Sequence, residues 1–152
     1  MSKTTWSFDK RVIVDAIVEG CKNGSQDVIL QVQREIRRNL SQGGSGIWYW
    51  GNPARSSSPG EPPANQTGRL RDGWQAQPKV FGKNRKIGWI LSASKVPYAA
   101  ILEYGGYAGR NRSVKIEERP YIMPAVEVVR DKATDVFASY IRRELQSAIL
   151  RK

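Results

Sequence analysis

Between Asp9 and Leu40 the chain contains no proline, and apolar or small residues return every third or fourth position. They are Val12, Ile13, Ala16, Ile17, Gly20, Cys21, Gly24, Val28, Val32, Ile36 and Leu40. That stripe predicts one long amphipathic helix, with Ser7 or Asp9 at hand as its N-cap. A helix of this span is about 48 Å long, the width of a whole small domain, so the rest of the fold must be arranged along it or at its ends. Gly20 and Gly24 each cost ~1 kcal/mol relative to alanine. Either the helix bends there, or both glycines lie on the buried stripe and admit a second backbone. Cys21, on the same stripe, reads as a plain buried thiol, and as the only cysteine it cannot form an intrachain disulfide.

A second run of this kind follows Pro124, with Val128, Val129, Val136, Phe137, Tyr140, Ile141, Leu145, Ala148 and Ile149 on its expected inward side. Between the two helices the pattern is different. Residues 41–66 are rich in Gly, Ser, Pro and Asn and enclose Trp48, Tyr49 and Trp50. Pro59, Pro62 and Pro63 favour extended backbone, and a loop this long is usually functional or disordered. Three aromatics need a surface to cover, which an isolated subunit need not supply. Trp74–Phe81 and Lys86–Ser94 predict a hairpin around Gly82–Arg85. A short helix is expected between Pro97 and Gly105. The stretch 105–119, rich in Gly and Arg, then ends in a strand at Val114–Ile116. The expected fold is α+β: two long helices packed on a small antiparallel sheet, with long Gly/Pro-rich loops. One domain spans 1–152, with a helix over about 9–40, a loop over 41–66, a sheet region over 67–119 and a helix over about 124–150.

The absent residue types narrow the chemistry. There is no histidine, which removes the usual general base, the commonest metal ligand and any Ser-His or Cys-His nucleophile. No glycine-rich loop precedes a Lys-Ser or Lys-Thr pair, so a phosphate-cradling P-loop is missing. Glu117-Glu118 lies beside Arg119 and reads as an ion-paired edge. A carboxylate-based, metal-dependent nuclease is the weakest of the readings. The expectation is therefore no catalytic residue, no cofactor and no metal. No apolar run approaches the ~20 residues that a membrane helix needs, and the polar start of the chain lacks the apolar segment of a signal peptide. Synthesis in the cytoplasm, with no membrane partner, is expected.

The net charge is +11. Residues 69–119 hold eleven basic and four acidic residues, so the middle of the chain is its cationic part. Such a bias attracts polyanions or acidic protein partners and says nothing about fold.

Three stretches taken in order resemble one family. Pro59-Gly60-Glu61-Pro62-Pro63 leads to Thr67-Gly68-Arg69-Leu70-Arg71. Tyr98-Ala99 is followed by Leu102-Glu103-Tyr104-Gly105, and then comes Arg119-Pro120-Tyr121-Ile122-Met123-Pro124-Ala125. Together they are similar to the tailed-phage minor tail component family, also described as tail-completion or type 1 neck proteins. The resemblance covers roughly residues 59–130. It implies a non-enzymatic virion subunit at the junction of capsid connector and tail, assembled in the host cytoplasm. Such a subunit works in a homo-oligomeric ring, a hexamer by expectation, beside neck, connector or tail-terminator proteins, and the genome DNA passes through the assembly.

Each stretch also has a physical reading. Thr67 can cap a short turn, Glu103 can pair with Arg69 or Arg119, and Arg119 can bond backbone carbonyls or a facing carboxylate. The residues expected at subunit or partner contacts are Trp48, Tyr49, Trp50, Arg69, Arg71, Glu103, Tyr104, Tyr107, Arg110, Arg112 and Arg119. A conduit for DNA should not grip phosphates, so Lys83, Arg85, Lys86, Arg110 and Arg112 are expected to face neighbouring subunits or the outer surface. The alternative is a basic nucleic-acid-binding protein acting as monomer or dimer. It would need a recognition helix, for which Gln31, Gln33, Arg34, Arg37 and Arg38 are a partial match.

Overall fold

The computed structural model describes residues 9–52, 54–81, 86–93 and 95–150. The first helix, α1, runs unbroken over Lys10–Asn39, and the Asp9 carboxylate accepts from the Arg11 amide at 2.9 Å as its N-cap. Helix α4 covers Ile122–Leu150 and lies antiparallel to α1. Its start meets the end of α1, where Asn39 Nδ2 donates to Tyr121 O. Its far half meets the beginning, where Asn23 reaches Glu144 and Tyr140 reaches Asp27. The two glycines explain how helices of this length come together. A Cβ on Gly20 would stand 2.7 Å from the Ile141 Cα, and one on Gly24 would stand 2.8 Å from the Phe137 ring. The close approach was the sharper of the two expectations, and the helix does not break.

Between the long helices lie α2 (Arg69–Asp72), β1 (Gln75–Phe81), β2 (Lys86–Ser92), α3 (Ala99–Tyr104), β3 (Gly106–Ala108) and β4 (Val114–Ile116). Strands β1 and β2 pair antiparallel from Gln75↔Ser92 to Phe81↔Lys86, and β2 packs on α1. The turn expected at Gly82–Arg85 lies outside the described residues. Strands β3 and β4 form a second, separate hairpin. Its first strand carries too few β-favouring residues to be seen in the sequence. The fold is α+β, but the small sheet is two hairpins, and the long helices pack mainly on each other.

The core sits at one end of this helical pair. Val32, Ile36 and Leu40 of α1 meet Tyr121, Ala125 and Val129 at the start of α4, with Trp74 completing the cluster. The Trp74 and Tyr121 rings meet edge to face at 6.0 Å. The Trp74 carbonyl accepts from Gln33 and Arg37, tying the first hairpin to α1. Beyond this cluster the two helices extend as an arm whose buried positions are nearly all small: Ala16, Gly20 and Gly24 on α1, and none on α4 past Val129. Five inward assignments are thereby corrected: Val12, Ile17 and Cys21 on α1 and Val128 and Ile149 on α4 are all exposed. A two-helix arm has only one shared seam, so an apolar residue one turn-quarter away from it stays in solvent.

Candidate functional site

The most organised polar arrangement in the described residues lies where α3 meets the start of α4. Glu103 is only 3% exposed. One carboxylate oxygen accepts from the amides of Tyr121 and Ile122 at 2.8 and 2.9 Å, and the other accepts from Met123 at 2.9 Å. A helix leaves its first four amides without partners. Here three of them go to Glu103, and the fourth position is Pro124, which has no N–H. The carboxylate also faces the positive end of the α4 dipole. This replaces the expected pairing of Glu103 with Arg69 or Arg119. A buried carboxylate accepting three amides needs no arginine. The start of α4 moves accordingly from Pro124 to Ile122.

Neighbouring bonds fasten the same junction. The Arg119 amide donates to Leu102 O at 2.7 Å, and the Tyr121 hydroxyl donates to Ala99 O at 3.1 Å. Tyr121 is fully buried, and burial, with the Glu103 charge nearby, pushes its phenol above the ordinary tyrosine range. The Arg119 guanidinium donates to the carbonyls of Ser57 and Glu117, the carbonyl option among its expected partners. The Gly60 amide donates to Glu118 O, so the proline-rich loop is anchored here too.

Residues 41–66 are more ordered than a structureless loop. Gly46 N donates to Ser56 O, and Ser56 N donates back to Ile47 O. Glu61 collects the Ser45 hydroxyl and the amides of Ser45 and Ser58. These bonds, the Ser45 hydroxyl foremost, hold the Glu61 carboxyl below the ordinary glutamate range. The staple presents Ile47, Trp48, Tyr49 and Trp50 outward, and Trp50 is 90% exposed. Glu61 was legible only as part of the proline-rich stretch, because its partners Ser45 and Ser58 carry no sequence signature.

The remaining expected contact residues fall into separate groups. Arg69 is exposed on α2, while Arg71 is ion-paired with Asp72 at 2.8 Å. The Arg69 amide lies 3.5 Å from the Thr67 hydroxyl, and Asn65 accepts from Gly68 at 2.8 Å as the stronger local cap. Tyr104 and Tyr107 are exposed at the end of α3 and on β3. Arg110 and Arg112 are exposed on the tip of the β3–β4 hairpin, where Asn111 and Arg112 both adopt positive φ. Lys83 and Arg85 lie outside the described residues. Arg71, Arg119 and Tyr49 come together around an open cavity of about 550 Å³ between the loop, α2 and α3. Its two guanidiniums are occupied by Asp72 and by backbone carbonyls, and its walls are largely apolar, including Leu40, Pro63 and Leu70.

Among the described residues, no three His, Cys, Asp or Glu side chains converge as a metal site, and no helix is long and apolar enough to cross a membrane. The arrangement fastens loops to helix ends and displays an aromatic tip and a basic tip. Compared with known proteins, the chain matches no family model, no curated protein and no solved structure.

Proposed function

We propose that this chain is a structural, non-enzymatic subunit of the neck or tail-completion region of a tailed phage, acting in the virion as one member of a ring. The observation that supports this reading is where the three family-like stretches lie. The Glu103 stretch caps the helix opened by the Arg119–Ala125 stretch, and Arg119 with Glu118 holds the segment around Ser57 and Gly60. Residues that could be mistaken for an acid–base set thus serve as fasteners, and what they display is apolar and cationic contact surface. A hexamer beside connector or tail-terminator proteins is the arrangement the resemblance implies. Light scattering and electron microscopy of the purified chain, alone and mixed with neck proteins of the same virion, test it. Rings, or a defined complex with those proteins, are expected. A monomer that joins no such complex overturns the reading.

One observation favours the alternative of a nucleic-acid-binding protein. The exposed hairpin tip groups Arg110 and Arg112 with Tyr107 and Lys115, and basic residues beside an aromatic can hold single-stranded nucleic acid. Tight, strongly salt-dependent binding of oligonucleotides by the isolated subunit would favour it.

A further inference from the structure

Two apolar surfaces of this subunit have nothing to cover them, and they lie too far apart to cover each other. The first is the outer stripe of the arm: Val14, Ile17, Val18 and Cys21, spaced i, i+3, i+4 and i+7 along α1. All four are exposed, Val14 at 57% and Val18 at 59%. The second is the loop tip, Ile47 to Trp50. Some nineteen residues of helix separate Cys21 from Leu40, a distance of about 28 Å along the axis. The loop cannot fold back over that distance. Its base is fastened at the core end by the Gly60–Glu118 and Arg119–Ser57 bonds, and its neck by the Gly46–Ser56 pair.

We infer that the aromatic tip of one copy docks on the outer stripe of the arm of the next copy. The distribution of charge along the chain points to a second copy as the occupant. A protein of net charge +11 repels itself, so copies meet most readily where the charge is balanced or absent. The two arm segments, 10–28 and 131–150, each hold three basic and three acidic residues, and the loop segment 41–54 holds none at all. The arm's acids Asp15, Glu19 and Glu144 line the groove on another side of the α1–α4 seam, away from the stripe. Lys10 and Arg11 lie one turn before Val14 on the stripe's face, but the loop tip carries no charge of its own, so the two apolar surfaces meet without like-charge repulsion. Tryptophan and tyrosine give such a contact its anchors. The contact joins two different surfaces, so it is head-to-tail, the kind that closes into a ring or runs on as a filament. The inference rests on the ring reading and names the contact that joins neighbours.

The lone cysteine makes the test direct. Wild type, carrying only Cys21, and Asn52→Cys/Cys21→Ser, carrying only the tip thiol, should form no cross-linked species on mild oxidation. The single change Asn52→Cys, carrying both thiols, should give a ladder running past the dimer. Trp50→Ser and Val18→Asp should each raise the concentration for half-assembly at least tenfold in light scattering, with helical circular dichroism unchanged. Cys21–Cys21 dimers in the wild type would mean that the stripe meets itself, which overturns the proposal. If both substitutions assemble like the wild type and no ladder forms, this contact is overturned while the ring reading stands. A wild type that stays monomeric at all concentrations overturns this contact, and one that also joins no complex with neck proteins overturns the ring reading as well.

Discussion

Glu103 does three jobs with one side chain. It closes the N-terminus of α4, places a negative charge at the positive end of that helix dipole, and fixes α3 against the 119–123 segment. Removing it leaves three amides without acceptors in a buried place. Glu103→Ala is therefore expected to destabilise the subunit by about 2–4 kcal/mol, more than an ordinary cap loss, because several donors are orphaned together. Glu103→Gln keeps one acceptor oxygen and should cost roughly half as much. Urea denaturation of the three proteins would read the order, and a Glu103→Ala subunit as stable as wild type would contradict the geometry. The importance of Glu103 could be read from the sequence, since it stands in one of the family-like stretches, but its partner could not. An acid near several arginines suggests an ion pair, whereas its actual acceptor role depends on a helix end that begins eighteen residues later and is brought alongside by the fold.

At the scale of elements, the arm and the stapled loop carry the testable differences. Gly→Ala inside a helix ordinarily stabilises by about 1 kcal/mol. At Gly20 the added methyl would strike the Ile141 backbone, which cannot step aside without parting the helices, so Gly20→Ala should lower the melting temperature. At Gly24 the first obstacle is the ring of Phe137, a half-buried side chain with some room to turn. Gly24→Ala should therefore cost less than Gly20→Ala, and thermal melts of the pair would show the order. The Glu61 staple makes a prediction in pH. Its folded carboxyl lies below the ordinary value of about 4.5. The staple's contribution is therefore present above that value and is lost as pH falls through the lower folded one. The amide resonances of Ser45 and Ser58 should titrate together below pH 4.5, and Glu61→Gln should abolish that titration. The two long helices were legible from periodicity because every third or fourth residue reports on one face. The burial of their outer halves was not. Periodicity identifies an apolar face without saying whether anything covers it, which is why Val12, Ile17, Cys21, Val128 and Ile149 came out exposed.

For the molecule as a whole, the positive charge is segregated. Residues 29–130 hold sixteen basic and seven acidic residues, while both arm segments are balanced. The body that carries the core and the fastened loops is therefore also the body that attracts polyanions, and Arg110 and Arg112 stand on an exposed tip of it. If that tip lined the path of the genome, each phosphate it neutralised would tighten the grip and steepen its salt dependence. A conduit through which DNA must slide is poorly served by such a surface. On the proposed ring reading, acidic groups on a neighbouring neck protein or subunit are the better match, since pairing there adds orientation and speeds encounter without obstructing passage. Arg110→Glu combined with Arg112→Glu reverses the sign of the tip without touching the core, so the subunit should stay folded and its melting temperature should hold. Assembly into rings or neck complexes should fall by tenfold or more, and the loss should be largest at low salt, where unscreened repulsion acts over a longer distance. Light scattering at two ionic strengths, with virion assembly as the second readout, would measure both effects. Normal assembly with a defect confined to retaining or ejecting the genome would put these arginines in the bore instead.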